Sequence, residues 1–317
     1  MTLLDVKRYT LDLGLKAGLG SILLAVHEVL IGMMVNQVQK ISVLVLVSAL
    51  LAGCGFSEAE IKNGIPDTRS NTEKPVPVNL DAYTSKKLDS VLEAKASSRN
   101  LDKGQIIDLI SEKFLGAPYR ANRLQGAEHT PEQLVIDFRG LDCFTYLDYV
   151  EALRKSTSRQ MFVKNLIQTR YHDGDVDFLK RKHFFTDWAY SQTQNLADDI
   201  TTQVSSNTVR VEKRLNERPN GKSYIPGLPV VKRSITYIPS RLVDNKVVSQ
   251  LRTGDYIGIY ASLPGVDVTH VGVFIMTDKG PVLRNASSRK ENEKVVDSPF
   301  FEYVARKPGI VVFRAKD

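Results

Sequence analysis

The feature that most constrains this chain's fold is a change in hydrophobic period along it. Ile106, Ile107, Leu109, Ile110 and Phe114 recur at helical spacing, and so do Phe144, Leu147, Val150 and Leu153. Helices are predicted over Ser85–Ala96, Lys103–Phe114, Cys143–Arg154 and Met161–Tyr171, with Gly116-Ala117-Pro118 closing the second. In the third, Glu151 and Arg154 fall outside the apolar stripe and are expected in solvent. After Ser234 the pattern turns to strands, predicted at Asp255–Tyr260, Val268–Met276, Pro281–Asn285 and Ile310–Arg314. Helices first and strands later predict an α+β fold, with N-terminal helices packed on an antiparallel β-sheet. From Asp173 to Arg233 the signal is mixed. Residues 161–233 exceed what a minimal helix-and-sheet core needs and read as an inserted helical and loop subdomain.

The N-terminal segment reads as an address. Residues 41–53, ISVLVLVSALLAG, follow Lys40 and precede Cys54. Such an apolar run is too short for a bilayer, which takes about 20 residues, and suits the core of a secretory signal. Leu51-Ala52-Gly53-Cys54 resembles the lipobox of bacterial lipoproteins. That resemblance implies lipid on Cys54 and membrane attachment through it. Gly55 stands where an inner-membrane retention signal would place Asp, which favours the periplasmic face of the outer membrane. The plain alternative is a buried helix ending at Gly53. Asp5, Asp12 and Glu28 make poor signal material, so within a signal region 1–53 the start falls naturally at Met33 or Met34. Residues 54–80 carry Pro66, Pro75 and Pro77 and read as a lipid-anchored linker, leaving 81–317 as one folded domain, expected to be a monomer. A chain that is 42% hydrophobic and 25% charged can bury such a core. The net charge of +7 is scattered and mixed with acids, as in Arg289-Lys290-Glu291-Asn292-Glu293-Lys294. It reads as a solvated surface, not a nucleic-acid partner.

The chain has two cysteines. With Cys54 lipidated, Cys143 is left as a single thiol in an oxidising compartment, where it must be buried or used. At the start of its helix the backbone dipole favours a thiolate. Asp142 falls at the N-cap, and its charge opposes the thiolate, so a base is needed. Cys143 as a small buried hydrophobe is the alternative. His270 interrupts the strand Val268-Thr269-His270-Val271-Gly272-Val273-Phe274-Ile275. Alternation puts His270, Gly272 and Phe274 on one face, with Gly272 leaving room beside the imidazole. A hairpin at Asp278-Lys279-Gly280 returns Asn285 to that face, where its carbonyl can orient the ring. Ser287 is the weaker candidate for that role. A core histidine satisfied by backbone, with Asn285 ending its strand, is the alternative. The histidines lack paired ligand spacing and no cysteine cluster exists, so no metal or other cofactor is expected.

Several strings resemble a known family. Phe114-Leu115-Gly116-Ala117-Pro118-Tyr119, then Leu141-Asp142-Cys143, then Gly254-Asp255, then His270-Val271-Gly272 follow the motif order of the NlpC/P60 superfamily of papain-like cysteine peptidases and amidases. The longer strings LDCFTYLDYVEALR, HFFTDWAY, YIPSR, THVGVFI and LRNASS resemble its DUF1460 branch, the N-acetylmuramoyl-L-alanine amidase-like proteins. The resemblance implies a papain-like fold and peptidoglycan fragments as substrate. It also implies Cys143 as nucleophile and His270 as base, oriented by Asn285. Phe144-Thr145 departs from the common Ser-Gly after the cysteine, which sets standard endopeptidase specificity in question. The expected bond is the amide between N-acetylmuramic acid and L-alanine. The alternatives are a D-glutamyl–diamino acid bond of the stem peptide, or a non-catalytic lipoprotein that binds peptidoglycan. The Cys143 amide and the Tyr119 hydroxyl are candidate oxyanion donors, with core packing the other reading of Tyr119. Asp142, Asp187, Trp188 and Ser287 complete the substrate-contacting candidates. In His183-Phe184-Phe185-Thr186-Asp187-Trp188, the only tryptophan can stack on a sugar or anchor the insertion, and Asp187 can bind hydroxyls or an amine. An insertion walling the cleft would favour small soluble muropeptides over intact sacculi.

Overall fold

The computed structural model of the chain describes residues 80–191 and 194–317. The signal region 1–53, Cys54 and the linker to residue 79 lie outside the described residues. Four helices come first: α1 (Ala82–Ser97), α2 (Lys103–Glu112), α3 (Cys143–Arg154) and α4 (Arg159–Arg170). Each begins at a side-chain cap, Asp81, Asp102, Asp142 or Ser158, which accepts amide hydrogens that the first turn cannot satisfy itself. A small hairpin, β1 (Gln125–Ala127) and β2 (Thr130–Gln133), separates α2 from α3. The strands that follow are β3 (Ala197–Asp199), β4 (Val209–Leu215), β5 (Val231–Pro239), β6 (Tyr256–Tyr260), β7 (Val268–Thr277), β8 (Gly280–Ala286), β9 (Val295–Pro299) and β10 (Gly309–Ala315). They form one antiparallel sheet in the order β4-β5-β10-β6-β7-β8-β9, with β3 joined to β10. Short helices α5 (Thr201–Val204), α6 (Asn245–Val248) and α7 (Phe300–Ala305) complete the chain.

The sheet is covered on both faces, and strand alternation divides its residues between two cores. Val271, Val273, Ile275, Val311 and Phe313 meet Leu88, Ile110, Tyr146, Leu147, Val150 and Phe162 of α1 to α4. Phe274, Leu283, Ile310 and Val312 meet Val247, Val248, Phe300 and Val304 of α6 and α7. Two-sided burial explains why β7 and β10 read as nearly continuous apolar runs. The mixed α+β reading therefore holds, with the helices packed on an antiparallel sheet.

Two expectations change. Helix α3 is not amphipathic with a wet face: Glu151 is 0% exposed and Arg154 8%. They satisfy each other through two bonds of 2.8 Å, and the Tyr256 hydroxyl donates to Glu151 at 2.7 Å. Lys155 also stands 3.3 Å from Glu151, so it is removal of Glu151 that leaves a buried charge, Arg154, without its carboxylate, at a cost of about 3–5 kcal/mol. Residues 161–233 do not stand apart as a subdomain. Within them α4 packs on α3, β3 pairs with β10, and β4 pairs along its whole length with β5.

Three buried or half-buried lysines brace this framework by the same device. Lys95 donates to the carbonyls of Leu153, Arg154 and Ser156 at the end of α3. Lys182 donates to those of Gln168, Thr169 and Tyr171 at the end of α4. Lys213 donates to those of Ala261, Leu263 and Val266, fixing the loop before β7. An ammonium has three N–H donors, and each of these uses all of them on backbone oxygens at helix ends and in loops.

Candidate active site

Helix α3 opens at Cys143 because Asp142 caps it. Asp142 Oδ1 accepts from the amides of Phe144 at 3.0 Å and Thr145 at 2.8 Å, while the Asp142 amide donates back to Thr145 Oγ1 at 3.0 Å. This reciprocal box settles where the helix starts and holds the cysteine in its first turn. The approach is held too: Tyr119 bridges to Leu141, and the Tyr119 amide donates to the Glu293 carbonyl at 2.7 Å. Tyr119 is half-buried against the core beside the strand that enters α3.

The thiol is 6% exposed. Burial pushes it up to about 12, and the Asp142 charge adds to the rise. Hydrogen bonds from the amides of Val271, Cys143 and Phe144 pull the other way without overcoming it. The sulfur is thus protonated at neutral pH, and its nucleophilicity depends on a neighbour that takes the proton.

That neighbour comes from β7. Ile259 of β6 pairs with His270 but Tyr260 pairs with Val268, so β7 carries one extra residue, Thr269, just before the histidine. A bulge of this kind redirects the side chains beside it. His270 lines one small pocket together with Cys143, Leu124, Phe144 and Thr269, with an interior of about 50 Å³. Its Nε2 lies 2.9 Å from Asn285 Oδ1. The Asn285 amide is oriented by its own bonds, Nδ2 donating to the Leu283 carbonyl at 2.9 Å and to Ser298 Oγ at 3.1 Å. Oδ1 can then only accept, so Nε2 carries the proton and the basic lone pair of the neutral ring resides on Nδ1. Tyr303 of α7 stands beside the imidazole, with ring centroids 6.0 Å apart.

The other sequence candidates fall elsewhere. Trp188 is 0% exposed, its ring 5.2 Å from Tyr256 and 6.2 Å from Phe144. It is core, and cannot stack on a sugar. Asp187 is buried as well, accepting from the Phe184 amide at 3.1 Å and from Arg233 at 3.2 Å, so its oxygens serve the fold. Ser287 is 2% exposed and accepts from the Arg289 amide at 3.3 Å, which ties it to the β8–β9 loop and not to the imidazole. Asp142 faces the pocket, but its contacts are those of a helix cap. Sequence reasoning missed Tyr303, whose segment carries no polar pattern. It also missed Arg289, which lies three residues after the Asn285-Ala286 string and was read only as part of a mixed-charge run. Among the described residues, no group of three or more His, Cys, Asp or Glu is placed to hold a metal ion, and no helix is long and apolar enough to cross a membrane.

An α+β domain with this pocket on its helix-and-sheet seam is, by comparison with known proteins, a hydrolase of the amidase type. The chain belongs to the AmiA-like family, described as N-acetylmuramoyl-L-alanine amidase-like, whose model matches residues 109–310. It is similar to the crystal structure of an N-acetylmuramoyl-L-alanine amidase from Bacteroides uniformis, at 28% identity and a TM-score of 0.58, over 68% of this chain and 99% of that one. A DUF1460 protein from Legionella pneumophila shares the fold at 22% identity and a TM-score of 0.61, over 74% of this chain and 95% of that one. No curated protein matches the sequence.

Proposed function

We propose that this protein is a cysteine-dependent hydrolase of peptidoglycan fragments that cuts the amide between N-acetylmuramic acid and L-alanine, on a papain-like fold of the NlpC/P60 kind. The observation that carries this reading is the 2.9 Å bond from Asn285 to His270, which lines one pocket with Cys143. It leaves the imidazole's basic nitrogen as Nδ1 and supplies the acceptor that a nucleophile with a raised pKa requires. His270 takes the thiol proton as sulfur attacks the lactyl carbonyl. The imidazolium then gives that proton to the departing L-alanine nitrogen, and the amine leaves. Water, deprotonated by the same nitrogen, cleaves the thioester and restores the thiol. The Cys143 amide and the Tyr119 hydroxyl are the donors we assign to the oxyanion. Soluble muropeptides, rather than intact sacculi, are the substrates we assign.

The test is mass spectrometry of purified muropeptides incubated with the protein. Release of intact stem peptide beginning at L-alanine is expected, with none from Cys143→Ala. Cleavage inside the stem would replace the proposed bond with a D-glutamyl–diamino acid bond, and full activity of Cys143→Ala would end the cysteine mechanism. The same reading places the domain on a lipid at Cys54, on the periplasmic face of the outer membrane. A palmitate analogue should label the wild type and not Cys54→Ser.

A further inference from the structure

The β8–β9 loop brings the Arg289 guanidinium over Tyr303, the ring that stands beside His270. Arg289 is half-buried and lies over the Tyr303 ring, 4.6 Å from its centroid. The Lys307 ammonium lies 5.4 Å from the same ring. Tyr303 is 6% exposed and stands beside His270. Burial raises its phenol pKa, while the Arg289 charge opposes the rise and the Cys143 sulfur adds to it. Arg289, Tyr303 and the catalytic pair are therefore one electrostatic neighbourhood. Among the described residues Arg289 pairs with no carboxylate. Its backbone is fixed: its carbonyl accepts from Asn292 at 2.9 Å and Glu293 at 2.8 Å, and its amide donates to Ser287 Oγ. A guanidinium in contact with an aromatic face keeps its planar fork of N–H donors, the geometry that suits a carboxylate.

We infer that Arg289 is a specificity-determining residue that binds a free carboxylate on the peptide part of the substrate. The inference rests on the amidase reading above. In a muramoyl peptide the N-acetylated sugar is uncharged, and the carboxylates belong to the peptide. The first is the α-carboxylate of the second residue, a γ-linked D-glutamate. It lies roughly six bonds, or about 7 Å, from the scissile carbonyl carbon. That reach suits a cation standing one aromatic ring away from the base. A half-buried cation without a counter-ion gains more from such a partner than an exposed one, because water screens the pair less.

Two substrates that differ at one group test this: N-acetylmuramoyl-L-alanyl-D-glutamate with a free α-carboxylate, and the same compound with that group as a carboxamide. The wild type should favour the acid in kcat/KM by about ten- to hundredfold, mostly through KM. Arg289→Gln should cut the acid no better than the amide, while Lys290→Gln, an exposed change in the same loop, should keep the preference. Equal rates on both substrates with the wild type, or a preference that survives in Arg289→Gln, overturns the inference and leaves the amidase reading intact. Cleavage of neither compound by the wild type, with stem peptides cut elsewhere, overturns the amidase reading and this inference with it.

Discussion

Gly272 of β7 and Asn285 of β8 approach so closely that a methyl group on the glycine would stand 3.0 Å from the Asn285 Cβ and 2.9 Å from the Arg284 carbonyl oxygen. The imidazole sits two residues away from that gap, and Asn285 reaches it diagonally across the space the glycine leaves. Gly272→Ala should therefore act on the site and not only on the sheet. We expect a folded protein with kcat reduced about tenfold, or about 1.4 kcal/mol of barrier, and KM little changed. Steady-state kinetics beside a thermal melt would check this; unaltered kcat would mean that Asn285 tolerates the displacement.

His270→Ala should lower kcat by about 10²–10⁴-fold, the usual contribution of a general base. Asn285→Ala should cost less, because that residue holds the ring without touching the reacting atoms. Ser287→Ala should be close to neutral in rate, since its hydroxyl serves the Arg289 amide. A crippled Ser287→Ala beside a neutral Asn285→Ala would assign the orienting role to the wrong side chain here.

The raised thiol pKa has a direct readout. With the pKa up near 12, the thiolate is scarce through the neutral range and its fraction grows about tenfold per pH unit. Alkylation of Cys143 by iodoacetamide, followed by peptide mass spectrometry, should accelerate steadily from pH 7 to 10. Asp142→Asn keeps a competent cap but removes a negative charge beside the sulfur. The pKa should fall, and alkylation at pH 8 should quicken. A rate that levels off below pH 8 would show that the thiol ionises far more readily than its burial implies.

Trp188→Ala should destabilise the fold by about 3–5 kcal/mol, as loss of a fully buried indole does. Any protein that remains folded should bind sugar-bearing and sugar-free substrates with KM values altered to the same degree. A selective loss for the sugar-bearing substrate would reinstate the stacking role that burial argues against.

The elements that hold the proposed chemistry were the legible ones. Asp142-Cys143 announces a capped helix because the cap is a local interaction within three residues. The approach of Asn285 to His270 follows from counting along a tight hairpin. The burial of Glu151 and Arg154 was not legible: both fit a wet helical face locally, and their partners, Tyr256 and the Lys316 carbonyl, are more than a hundred residues away. Strand β4 was missed because VRVEKRL alternates charge with few apolar residues, and Lys213 turns inward to meet a distant loop. Trp188 misled because an aromatic beside an acid reads alike on a sugar platform and in a core. Neither Arg289 nor Tyr303 signals the other, since their contact exists only once α7 has folded against β8 and β9.

The Lys95 clamp bears on where this domain can be cut. The family match begins at residue 109 and ends at 310. A fragment with those ends would discard α1 and most of β10. It would lose the ammonium that caps the far end of the helix Cys143 begins, and with it Leu88 and Val91, which are 0% and 1% exposed. Arginine in place of Lys95 would not substitute, because a planar guanidinium cannot converge on three carbonyls around one point. A fragment that keeps this clamp must therefore be longer than the stretch the family model matches, because its amine comes from α1.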